Sequence, residues 1–176
     1  MADPTILTIG HSTRSIEQFV ELLRANEVQT VIDVRKLRGS NRYPQFNADA
    51  LGTSLAECGI ALQASPALAG RRPVSTTVPF DTNAWWDNRS FHNYADHALS
   101  QVFVDAAQDL VAQAEQERLA LMCSEAVWWR CHRRIIADHL LARGAKVLHL
   151  VASASEAELT PGAVIGPGHR VTYPKR

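Results

Sequence analysis

The chain has 176 residues, of which 46% are hydrophobic and 20% charged, enough apolar material for one domain with a real core. Lys+Arg and Asp+Glu both number 18, so net charge gives no push toward nucleic acid or membrane. Three cysteines exclude a disulfide scaffold. No apolar run reaches the length of a membrane span, and no basic-then-apolar leader precedes the first strand pattern, which makes the cytoplasm the expected location.

Thr5–Gly10 (TILTIG) reads as a short buried strand. Ser15-Ile-Glu-Gln18 is a capping box, and Ile16, Phe19, Val20 and Leu23 follow at helical spacing. Thr30–Arg35 (TVIDVR) is a β-branched strand, Asn47–Cys58 a helix with Leu51, Leu55 and Cys58 on one face, and Ile60–Ala64 a weaker strand. Residues 65–90, rich in Pro, Arg, Thr and Asn, form a long loop, a length that in compact domains tends to be functional. Phe91–Glu117 is one long amphipathic helix or a helix pair. Arg118–Cys123 is a strand, Cys131–Arg143 a helix stopped by Gly144, and Lys146–Val151 a strand. The tail 152–176 is irregular, with an edge strand at His169–Tyr173. Strands alternating with helices define a single α/β domain: a mostly parallel sheet of about five strands, helices on both faces.

In such sheets ligands bind beyond the carboxyl ends of the strands. Three of those ends carry polar clusters here: Gly10-His11-Ser12-Thr13-Arg14; Asp33-Val34-Arg35, followed by Arg38 and Arg42-Tyr43; and Cys123-Ser124-Glu125, followed by Arg130-Cys131-His132-Arg133-Arg134. Asp33 and Arg35 share a strand face and are either a structural ion pair or part of a site. Arg133 and Arg134 open a helix, where cations oppose the helix dipole. Such a break of a local rule points to an anion pocket, unless Glu125 or Asp33 neutralises the arginines. Cys123, between strand and helix, is a candidate nucleophile with a lowered pKa, and Cys131 its resolving partner; buried, inert thiols are the plain alternative. Cys123, Cys131, His132 and His11 form a zinc or iron set at an unusual spacing. Trp128, Trp129, Trp85 and Trp86 read as packing, and His92, His97, His139 and His149 as surface positions without a functional signal. There is no Walker loop, Rossmann fingerprint or HExxH, and no C-x5-R, since Trp129 stands where the arginine would.

"TIGHSTRSIEQFVELL", "VIDVR", "NRYPQFN", "LAGRRP" and "ALMCSEAVWWRCHRRIIADHL" together resemble the domain of unknown function 488 family. The resemblance implies an α/β domain with a site at these motifs and supplies no activity. Many relatives carry an acidic residue and a proline between the glutamate and the second cysteine, where this chain has Ala126-Val127-Trp128-Trp129. The expected function is binding of a phosphate-bearing small molecule or nucleotide. Arg35, Arg42, Tyr43, Cys131, His132, Arg133 and Arg134 hold the anion, and His11, Glu125, Asp33 and Cys123 carry any chemistry. A nucleic-acid module whose basic face includes Arg14, Arg38, Arg71, Arg72 and Arg130 is the second reading, and the metal site the third; cofactor and oligomeric state are left open.

Overall fold

A computed structural model describes residues 3–39 and 41–175. Its centre is a six-stranded sheet in the order β3-β2-β4-β1-β5-β6, built from β1 (Thr5–Gly10), β2 (Thr30–Asp33), β3 (Ala61–Ala64), β4 (Leu119–Cys123), β5 (Lys146–Leu150) and β6 (Ala154–Glu156). The first five run parallel and β6 pairs antiparallel with β5, so the expected parallel sheet gains one edge strand from the tail. Alternation along the strands divides the core in two. Leu7, Ile9, Val31 and Met122 pack under α1 (Ile16–Ala25) and α2 (Ala48–Ala56). Ile6, Ile32, Leu119 and Leu121 pack on the opposite face with α3 (Arg89–His97), α4 (Gln101–Ala114) and α5 (Arg133–Ala142). Among the described residues no helix is long and apolar enough to cross a membrane.

Most element boundaries follow from local chemistry. Ser15 and Gln18 close the capping box at α1 with bonds of 3.1 and 2.9 Å. The Phe91–Glu117 span is a helix pair, broken where Ser100 caps α4 by accepting from the Phe103 amide. The loop 65–90 contains 3-10 turns and sends Trp86 into the core, while Trp129 remains 48% exposed, against the expected packing role. The edge strand expected at His169–Tyr173 is instead half of a small separate ribbon, β7 (Val164–Ile165) with β8 (Val171–Thr172). The apolar residues there pack onto α5, and the Tyr173 hydroxyl donates to Asp138 at 2.6 Å. The histidines read as surface positions are mostly interior: His92, His139 and His149 are buried. Helical and strand periodicity does not distinguish a surface His from a core one.

This topology creates a crevice. β1 and β2 lead into helices on one face, whereas β4, which lies between them, leads into α5 on the other. Connections diverging from adjacent parallel strands open a gap at the carboxyl ends. The three polar strand ends border that gap.

Candidate site at the carboxyl ends of the parallel strands

Backbone contacts first fix the strand ends. The pairing of β1 with β4 continues past the strands, His11 N–H donating to the Cys123 carbonyl and Ser12 N–H to that of Ser124. The chain after β4 then crosses directly over Gly10: a Cβ there would lie 1.8 Å from the Glu125 carbonyl oxygen. Only glycine permits this approach. The Arg14 guanidinium ties the end of β1 to that of β5 by donating to the carbonyls of Gly10 and Val151. Its role is architectural.

A cavity of about 520 Å³ opens above these strand ends. Its wall includes His11, Tyr43, Cys123, Glu125 and His132 together with Arg35, Lys36 and Arg71. Larger hollows, of about 860 and 1090 Å³, run along the 65–90 segment, away from the strand ends. The cavity of about 520 Å³ meets the polar groups at the ends of β1 and β4.

His11 is 4% exposed and stacks on Phe46 at 4.3 Å, with Tyr43 edge-on at 6.2 Å. Its Nδ1–H donates to the Ser12 carbonyl at 2.9 Å, which leaves Nε2 as the lone-pair nitrogen. Burial outweighs that bond and lowers its pKa, so the ring is neutral at physiological pH.

Asp33 and Arg35 form the ion pair. Arg35 donates to both carboxylate oxygens, at 2.9 and 2.8 Å, and to the Phe46 carbonyl; Arg38 adds a bond at 3.0 Å. Burial would raise the Asp33 pKa, but these donors outweigh it and hold the carboxyl below its usual range. Asp33 is an acceptor with its oxygens occupied, and Arg35 presents its remaining surface to the cavity.

The sulfur cluster favours the other thiol, Cys131, as the acidic one. Cys123 Sγ, Cys131 Sγ and a ring nitrogen of His132 lie within 4.8 Å of one another. Cys123 was expected to be the acidic thiol. The Cys131 sulfur beside it and burial instead push Cys123 up to about 12. Cys131 is held down to about 6, first by the Cys123 contact and then, against burial, by Arg133. The asymmetry has a visible source: the Arg133 amide and Nε both point at Cys131 Sγ, at 3.5 and 3.3 Å. Arg133 is 1% exposed, and no carboxylate of the described residues lies within ion-pair distance of it. A buried cation requires an anion, and the Cys131 thiolate is the ionisable acceptor it touches. Neither Glu125 nor Asp33 fills that role. Of Glu125, the backbone carbonyl accepts from Arg133 Nη2, while the side chain is exposed at the cavity.

The expected anion-binding arginines therefore separate. Arg133 is consumed internally; its Nη1 also reaches the Thr8 hydroxyl at 3.5 Å. Arg134 lies over Trp86 and Trp128 and donates to Thr160. Arg42 stacks on Tyr43 outside the cavity wall. In their place stand Lys36 and Arg71, both exposed, the Arg71 guanidinium without a partner among the described residues. Lys36 had no signal in the sequence beyond following Arg35. Gly70 was visible only inside the LAGRRP motif; a Cβ on it would sit 2.9–3.3 Å from three His132 ring atoms, so the chain lies flat on that ring.

Fold and site together define an α/β protein with a Cys–His cluster at the switch point of a parallel sheet. The chain belongs to the family described as Domain of unknown function DUF488, whose model matches residues 15–140. That span contains the Asp33, Cys123, Cys131 and His132 positions and starts after His11. No curated protein and no solved structure shows a significant match to the chain.

Proposed function

We propose that the protein binds a phosphate-bearing small molecule, of nucleotide size or less, in the cavity between His11, Arg71 and Cys123. The observation that carries this reading is charge placement. Lys36, Arg35 and Arg71 all line the cavity against Glu125 as the acidic lining residue, and the ammonium and guanidinium of Lys36 and Arg71 have no carboxylate partner among the described residues. A volume of about 520 Å³ suits a ligand of that class. His11, neutral with Nε2 free to accept, is the group suited to take a proton from it.

A nucleic-acid face has less support. Of the arginines it would use, Arg14, Arg35 and Arg133 are tied to internal acceptors, and Arg72 donates to the Ala69 and Pro66 carbonyls.

Thermal shift with a panel of nucleotides and inorganic phosphate tests the proposal. Wild-type protein is expected to be stabilised by at least one of them. The Lys36→Ala/Arg71→Ala double variant is expected to lose at least tenfold in affinity while keeping its own melting temperature, because both side chains are exposed. If nothing in the panel stabilises the wild type, the reading is wrong.

A further inference from the structure

We propose that Cys123, Cys131 and His132 bind a zinc ion, with the remaining coordination position open to the cavity. This goes beyond anion binding, since its ligands are different residues.

The donor set comes first. Two sulfurs and an imidazole suit zinc and not the oxygen-seeking cations magnesium or calcium. The spacing of the neighbouring sulfur and nitrogen fits as well. Zinc bonds of about 2.3 Å to sulfur and about 2.0–2.1 Å to nitrogen, at a tetrahedral angle, place the two donors roughly 3.5–3.6 Å apart. Cys131 Sγ and His132 Nδ1 are 3.6 Å apart.

The groups around the donors are arranged as a zinc site requires. His132 Nε2–H donates to the Val34 carbonyl at 2.9 Å. That bond fixes the tautomer, leaving the Nδ1 lone pair for a metal, as metal-bound histidines characteristically do. Gly70 lies over the ring face and holds its plane. The Arg133 amide and Nε donate to Cys131 Sγ, favouring a thiolate in a fixed direction.

Access and charge complete the case. Cys123 and His132 both line the cavity, so a metal among the three would face it. Three protein ligands leave one tetrahedral position for water or a ligand atom. Two thiolates balance the zinc charge, and Arg133 leaves the assembly one positive charge in excess. The open position would therefore favour an anionic oxygen.

The test uses the full chain. Metal analysis of protein purified without chelator is expected to find about one zinc per chain. Cobalt titration of chelator-stripped, reduced protein is expected to give a thiolate-to-cobalt charge-transfer band and the intense visible bands of tetrahedral cobalt. Cys123→Ser and His132→Ala should each weaken cobalt binding at least tenfold. Cys58→Ser, whose side chain lies in the hollow between α1 and α2 and outside the donor cluster, should leave it unchanged. Substoichiometric zinc together with no cobalt band in folded wild-type protein overturns the proposal, as does an unaltered cobalt spectrum in Cys123→Ser/Cys131→Ser. The wild-type spectrum decides even if a variant fails to fold. The Lys36 and Arg71 variants retain all three donors, so loss of nucleotide binding there leaves the cobalt result standing.

Discussion

Arg133 shows what one residue's surroundings decide. Its position in the first turn of α5 opposes the helix dipole, and in the sequence this reads as a socket for an outside anion. The anion is two residues away: Cys131, whose thiolate receives both the backbone N–H of the helix start and the Arg133 Nε. The sequence shows the broken rule but not its resolution, because a thiol becomes a usable counter-ion only once burial and a fixed guanidinium act on it together. The pairing makes a stability prediction. Cys131→Ser in metal-free protein leaves a buried guanidinium with no ionisable partner, which costs about 3–5 kcal/mol. Cys123→Ser, which strands no charge, should cost less than half of that. Urea denaturation of both variants checks the order, and equal losses would remove the ion pair from the account.

At the scale of elements, much was legible. The capping box, the strand runs and the helix breaks lie in local patterns, and the sheet follows from their alternation. The tail did not yield to the same reasoning. β6 is three exposed residues, and Val171 and Tyr173 are buried in the core cluster that includes α5. Short segments of this kind have no periodicity; tertiary contacts define them. Gly10 is the opposite case, an ordinary turn glycine in sequence whose real constraint comes from residues 125–126 crossing above it. Gly10→Ala must push apart two backbones that the His11 and Ser12 amides hold together, with a cost on the order of 4 kcal/mol. Gly144→Ala is a control for conformational strain alone: its φ is +86° but the space around it is open, and about 1–2 kcal/mol is expected. Chemical denaturation separates the two; similar losses would mean that the crossing yields easily.

The whole molecule carries the site's polarity into the core, and pH should reveal it. Arg133 reaches Thr8, and the Thr8 hydroxyl lies 2.6 Å from His149 Nδ1, whose ring stacks on Trp128 at 4.3 Å. The convergence of β1, β2 and β4 ends could be read from the sequence, but not this chain of contacts through the sheet, because it joins residues 141 positions apart. Burial, then the positive charge of Arg133, lowers the pKa of His149 from 6.5 to about 4. His139, buried with both ring nitrogens unpartnered among the described residues, is lowered further, to about 3. The sign follows from proton counting. Above pH 6.5 both histidines are neutral whether the chain is folded or not, and the fold loses nothing through them. As pH falls below 6.5, the unfolded chain takes up protons that the folded one refuses, and stability declines. For His149 the decline ends near pH 4, after roughly 3 kcal/mol at most. Cys131, held at about 6 in the folded chain against an ordinary 9.0, already makes stability decline as pH falls from 8 to 6. Stability from urea denaturation is therefore expected to fall first through that thiolate and then, between 6.5 and 4, through the histidines. His149→Asn keeps an acceptor toward Thr8 without a titrating ring, so it should reduce that slope while His139 maintains the remainder. A slope unchanged by the substitution would show that the proton uptake belongs to other groups and that His149 is not held neutral by burial and Arg133.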